Sequence, residues 1–283
     1  TAVTVLFLPP CHLPRLGVSL MHPMLRKAID AAREAGEAIR HYANKVHKLH
    51  VQNKDHNDFV SEVDRQAEKI IVRHLQRAYP DHVFFGEEGG KRGADSDYEW
   101  VIDPLDGTTN FLYGIPQYAV SIALKHKGRL TVGVVYDPLR DETFAAARGD
   151  GTTLNGRRIR VSERPSMRNA LLGTGIPFRA NQHLDLYLQT LKALLPDTAG
   201  VRRPGSAALD LAWVAAGRFD GFWEFGLNEW DMAAGVLLVQ EAGGLVSDLR
   251  GDNTHLTSGD VVAANPKVFK EMLKRLHPVL ANC

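Results

Sequence analysis

Apolar residues recur at three- and four-residue steps in two stretches near the front of the chain. Leu25, Ala28, Ile29, Ala32, Ala35, Ile39, Tyr42 and Val46 make one stripe; Ala67, Ile70, Ile71, Leu75 and Ala78 make a second. This spacing predicts two amphipathic helices, the second running from Val63 to Tyr79 and ended by Pro80-Asp81. Val83-Phe84-Phe85 reads as a short strand leading into Gly86-Glu87-Glu88-Gly89-Gly90. Trp100-Val101-Ile102 reads as a buried strand, which Pro104 is expected to stop. From Tyr118 the period changes. Three β-like runs, 118–126, 129–137 and 142–148, are separated by Lys127-Gly128 and by Pro138-Leu139-Arg140-Asp141, which predicts an antiparallel meander. Asn155-Gly156 is a further turn signal.

Beyond residue 168 strands and helices alternate. Ala170–Thr174 predicts a strand, 183–195 a helix ended by Pro196, and 206–216 a helix capped by Gly217. Phe219–Phe225 predicts a strand, 231–242 a helix closed by Gly243-Gly244, and 245–248 and 261–264 two more strands. Pro266 stands where a last helix would start. The front half, 21–165, thus reads as α+β and the back half, 166–283, as α/β. No repeat or long linker separates them, so the two halves are expected to share an extensive interface. Residues 1–20 do not fit either pattern. TAVTVLFLPP is apolar but short, lacks a basic front and is interrupted by Pro9 and Pro10. The helical pattern starts after Met21-His22-Pro23-Met24, so 1–20 is expected to be an added N-terminal extension, disordered or loosely packed.

With 283 residues, 44% hydrophobic and 24% charged, the chain is long enough for one large or two closely packed domains of ordinary globular composition. Its net charge of +1, from 34 basic and 33 acidic residues, gives no general reason to bind nucleic acid or an anionic membrane. The two cysteines, Cys11 and Cys283, lie near opposite ends. A disulfide framework is not expected, and a reducing cytoplasm is the default location.

Residues 100–112, WVIDPLDGTTNFL, carry the clearest chemistry. Asp103 and Asp106 share a tight bend, the Leu105 carbonyl lies between them, and Gly107, Thr108, Thr109 and Asn110 follow as a turn that could open a helix. Hard cations such as Mg²⁺ take oxygen ligands, and backbone N–H groups beside them suit a phosphate. Alone, the pair also fits a strand-end turn with a capping aspartate. Three other segments bear on this choice. Glu87 follows a strand end, Asp231 begins a helix after Trp230, and Asp64 lies near the start of the second helix. The last two also read as simple helix caps, and Glu88 as part of a solvated loop.

These segments together resemble the inositol monophosphatase family of Mg²⁺-dependent, lithium-sensitive sugar phosphatases. WVIDPLDGTTNF and WDMAAGVLLVQEAGG resemble its two signatures, with GEE at 86–88 and FVSEVD at 59–64 in family order. Ser61 stands where the family usually has threonine. GTGIPF and RRPGSAALDLAWVAAGR resemble the bacterial SuhB-type branch. The resemblance implies a layered αβαβα sandwich and hydrolysis of myo-inositol 1-phosphate or related polyol phosphates. It implies two or three Mg²⁺ per site, held by Glu87, Asp103, the Leu105 carbonyl, Asp106 and Asp231. It gives Thr108 and Asp64, with Glu87, the handling of the attacking water, and Gly107 and Thr108 the phosphate. Asp106, Gly205, Ser206, Ala207 and Glu224 would face the substrate. It also implies a homodimer, without membrane attachment, and an additional association with a transcription complex or RNA. None of the 12 histidines lies in the motifs, which favours direct attack by water. Fructose-1,6-bisphosphatase and other sugar or nucleotide phosphatases of the superfamily would share the metal core. A second phosphate would call for a cation near the pocket, and Arg179, Arg202 and Arg203 are the candidates beside a plain surface role. The Arg157-Arg158-Arg160 cluster reads as a solvated hairpin.

Overall fold

The computed structural model describes residues 22–43, 51–55, 58–177 and 183–281, with the backbone alone for 51–55 and 58–61. The expected extension at 1–20, Val46, Arg179 and both cysteines lie outside the described residues, as does the Ser61 side chain. The chain runs through α1 (Pro23–Ala43), a hairpin of β1 (Val51–Asp55) and β2 (Asp58–Ser61), and α2 (Glu62–Ala78). Then come β3 (Val83–Gly86), β4 (Gly90–Arg92), β5 (Tyr98–Asp106) and the short α3 (Thr108–Leu112). The predicted meander follows as β6 (Ala119–His126), β7 (Arg129–Asp137) and β8 (Glu142–Ala147), extended by β9 (Gly151–Leu154) and β10 (Arg157–Arg158). The back half comprises β11 (Leu171–Thr174), α4 (Leu184–Leu194), β12 (Gly200–Arg202), α5 (Ala207–Ala215) and β13 (Gly221–Glu224). It ends with α6 (Glu229–Glu241), β14 (Leu245–Ser247), α7 (His255–Ser258), β15 (Val261–Ala264) and α8 (Pro266–Leu280).

Two sheets organise these elements. The larger has eight strands in the order β10-β9-β8-β7-β6-β5-β3-β4, and the smaller five in the order β12-β11-β13-β15-β14. Helices α1 and α2 cover one face of the large sheet, with Ala28, Ala32, Ala35, Ile39, Ile71 and Leu75 packed on Trp100, Ile102, Ile122 and Val134. Helices α5 and α6 lie between the sheets, and α4 and α8 cover the far face of the small one. The result is the layered αβαβα sandwich. The amphipathic stripes of α1, α2 and α8 each serve one layer. Helix α6 serves two, which explains why Met232 through Val239 are all buried. No helix among the described residues is long and apolar enough to cross a membrane.

One local expectation fails. Pro104 does not stop its strand: β5 continues to Asp106, with Asp103 opposite Ser121 and Asp106 opposite Ala119 on β6. The register shifts between Asp103 and Asp106, so Pro104 sits in a bulge, where a missing N–H breaks no ladder bond.

Candidate active site

Strands β3 and β5 run parallel, with Gly86 beside Ile102. Their C-terminal ends therefore deliver Glu87 and Asp103 side by side. The Glu87 N–H donates to the Ile102 carbonyl at 3.2 Å. Asp103 is buried and accepts the Leu105 N–H at 3.0 Å, which closes the bulge as an aspartate turn. Asp106 then points toward the back half. Its Oδ2 accepts the Ser206 hydroxyl at 2.5 Å and the Ala208 N–H at 2.8 Å, at the start of α5. Gly107 turns the chain into α3 with φ +92°, and a Cβ there would lie 2.8 Å from the Gln117 carbonyl oxygen. Only glycine fits both conditions. The Thr108 hydroxyl donates to the Leu105 carbonyl at 2.9 Å and lies 3.4 Å from Asp64 Oδ1, which reaches over from the first turn of α2. Asp231 is the third residue of α6 and not its cap. Asn228 holds that position, and its N–H donates to Asp231 Oδ2 at 2.6 Å.

These residues meet in one cavity of about 430 Å³. Glu87, Asp103, Leu105, Asp106, Gly107, Thr108 and Asp231 line one part of it, and Gly205, Ser206, Ala207 and Glu224 another. Asp64 is buried behind Thr108 and does not line the cavity. Arg203 lines it as well, whereas Arg202 does not. Arg157 and Arg158 stand exposed on the edge strand β10.

The charges in this cavity are in conflict. Burial pushes the Asp103 carboxyl well above the usual range, and the neighbouring Glu87, Asp106 and Asp231 push it further. Burial, followed by Asp231, raises Asp106 to about 7 against the bonds from Ser206, Ala208 and Ala207. Among the described residues no three acids, histidines or cysteines are gathered closely enough to form a finished metal cluster. The acids are close enough to repel one another but are not closed around a point. An all-oxygen donor set with Asp103 buried at its centre, where the largest charge effects come from other carboxylates, fits a hard divalent cation.

Asp210 was not marked by its sequence context. It projects from α5 into the cavity lining, is 1% exposed, and its Oδ1 has no hydrogen-bond partner. Burial raises its pKa well above the usual range, Glu224 and Asp106 add to that, and Arg203 opposes it. The available signal was a single acid inside LDLAWVAA, a helix apolar on every side.

A model of the inositol monophosphatase family matches residues 20–280. The chain belongs to that family. It is 58% identical over 265 residues to the Nus factor SuhB of Pseudomonas aeruginosa, covering 92% of this chain and 98% of that one. The solved extragenic suppressor protein suhB of Bartonella henselae is 43% identical and superposes with a TM-score of 0.88, over 90% of this chain and 99% of that one. The inositol monophosphatase of Anabaena is 37% identical with a TM-score of 0.78, covering 90% and 95%. Family membership brings with it the layered fold described above. In this chain the cavity lining is drawn from two separate stretches, 87–113 and 174–231.

Proposed function

We propose that the protein is a Mg²⁺-dependent phosphate monoester hydrolase acting on myo-inositol 1-phosphate and related polyol phosphates. The observation that carries this reading is the convergence of Glu87, Asp103, Asp106 and Asp231 on one cavity beside Gly107 and Thr108. Two or three Mg²⁺ would be held by those acids and the Leu105 carbonyl. When bound, the ions neutralise the phosphate dianion, lower the pKa of water and stabilise the departing alkoxide. The chain's own residues do the rest. Backbone N–H groups of Gly107 and Thr108 receive phosphate oxygens. Asp64 and the Leu105 carbonyl set the direction of the Thr108 hydroxyl, which orients the attacking water while Glu87 draws on its proton. Glu224 accepts hydrogen bonds from substrate hydroxyls, and Gly205, Ser206 and Ala207 shape the wall beside it. No described histidine or cysteine lines the cavity, consistent with attack by water in one step. Phosphate release from inositol 1-phosphate with and without Mg²⁺ tests the reading; the absence of any metal-dependent release would end it.

The lining position of Arg203 favours a second substrate, a sugar bisphosphate such as fructose 1,6-bisphosphate, whose distal phosphate would meet the guanidinium. Parallel assays on inositol 1-phosphate, fructose 1,6-bisphosphate, glycerol 2-phosphate and nucleotide monophosphates separate the two. The same reading predicts inhibition by Li⁺, a homodimer in light scattering and a cytoplasmic location. The names of the relatives support a further role as a partner in a transcription complex. Pull-down of transcription factors with wild-type and Asp231→Asn protein tests it, and capture that survives the substitution makes that role independent of catalysis.

A further inference from the structure

We infer that Glu68 is the positioning residue that fixes the loop carrying Glu87, so that divalent-cation binding depends on an acid that never enters the cavity. The inference rests on the reading of Glu87 as a metal ligand. Glu68 follows Asp64 by one turn of α2, and both are 2% exposed despite their charge. They share a helix face but have different tasks. Asp64 faces Thr108, whereas Glu68 faces the turn between β3 and β4. That turn is three residues long, because Gly86 and Gly90 pair across the ladder.

All three N–H groups of the turn are anchored. That of Glu87 goes to the Ile102 carbonyl on β5 at 3.2 Å. Those of Glu88 and Gly89 both go to Glu68 Oε2, at 2.8 and 3.2 Å. The other carboxylate oxygen, Oε1, accepts Arg92 Nη2 at 3.0 Å, while Arg92 Nε donates to the Gly89 carbonyl at 3.2 Å. The carboxylate and the guanidinium thus grip the turn together, and the backbone of Glu87 is fixed on both sides. The close approach dictates the residue before it. A Cβ on Gly86 would lie 2.4 Å from Glu68 Oε2, so any other residue there would push the carboxylate off the turn.

This grip holds the turn in the fold and, through it, the position of Glu87. An ion pair whose arginine is half exposed contributes little net stability by itself. Only an acceptor can hold two adjacent N–H groups, and the two held here directly follow Glu87, the first acid of the cavity. Groups that orient a metal ligand typically change metal affinity by about 10–100-fold when removed.

The test uses the full-length protein as wild type, Glu68→Ala, Glu68→Gln and Glu87→Ala. Two quantities are read: Mn²⁺ affinity by paramagnetic resonance, and amide hydrogen exchange over residues 86–92. Glu68→Ala is expected to speed exchange at 88 and 89 and to weaken Mn²⁺ binding about tenfold or more. Glu68→Gln keeps one acceptor oxygen and is expected to fall between Glu68→Ala and wild type on both measures. It also stands in should Glu68→Ala not fold. Unchanged exchange in a folded variant overturns the inference. So does faster exchange with wild-type Mn²⁺ affinity while Glu87→Ala binds weakly. Unaltered Mn²⁺ affinity in Glu87→Ala instead removes the metal reading of Glu87, and with it the dependence claimed here.

Discussion

Two groups of buried carboxylates differ in what surrounds them. Asp137, Asp220 and Glu68 each have an arginine partner: Arg140 at 2.5 Å, Arg164 at 2.7 Å and Arg92 at 3.0 Å. Backbone N–H groups complete the set, from Leu139 and Arg140 to Asp137, from Leu171 to Asp220, and from Glu88 and Gly89 to Glu68. In the cavity the same burial goes with a different neighbourhood. The strongest charges felt by Asp103 are three other carboxylates, and Asp210 keeps an oxygen without a partner. At these three positions the acid that holds the fold together has its counter-charge supplied by the chain. In the cavity Arg203 opposes the repulsion at Asp210, while the largest charge effects on Asp103 are repulsive, which a bound cation would relieve.

The sharpest way to break this comparison is Asp103→Asn. Metal-dependent phosphate release should fall by about 10²-fold or more, while the unfolding midpoint without divalent cations stays level or rises, because a buried repulsion has gone. A rate close to wild type would remove Asp103 from the site. The reverse pattern is expected of Asp220→Ala. It strands the Leu171 N–H and removes acceptors for Ser162 and Arg164, a loss of about 3 kcal/mol in urea unfolding with activity per folded molecule preserved. If Asp220→Ala proved as stable as wild type, the structural class of acids would lose its meaning.

Asp210 gives a pH-dependent version of the contrast. Its pKa is raised in the folded state, so folding takes up protons and stability falls as pH climbs from the unfolded value of about 3.9 toward the folded one. Asp210→Asn should therefore melt higher than wild type at pH 7 without divalent cations. The two curves should meet near pH 4. An advantage that persists at acid pH would point to packing as the cause. The smallest effect belongs to an exposed pair. Lys127 and Asp97 are 3.5 Å apart and more than half exposed, so Asp97→Asn should shift stability by about 0.5 kcal/mol or less. A larger loss would mean that pairing, and not burial, sets the scale.

Much of this was legible in the residues. The stripes of α1 and α2 and the three meander strands follow from their periods, and Asp103, Asp106 and Asp231 stood out within their motifs. What escaped the sequence depends on contacts distant along the chain. Glu68 is an unremarkable position of an amphipathic helix until the β3–β4 turn is placed against it. Asp231 reads as a cap because the pattern cannot show that α6 begins two residues earlier, with Asn228 already in that role. Pro104 reads as a stop because a bulge depends on the partner strand. The three-residue strands β4, β12 and β14 are too short for a period to show, although the run containing β14 was apolar enough to be marked.

Helix α6 also sets an order of events during synthesis. The large sheet is complete once residue 158 has been made, yet one of its faces is covered by residues 229–241. A growing chain must therefore carry an uncovered apolar sheet while some seventy more residues are added, as the separation of β10 from α6 requires. Fragments released in that interval would have most of the acids but would also present a ready surface for sticking to one another. Asp231 arrives with the same segment that ends this exposure, so the cavity gains its last acid as the chain becomes safe to release.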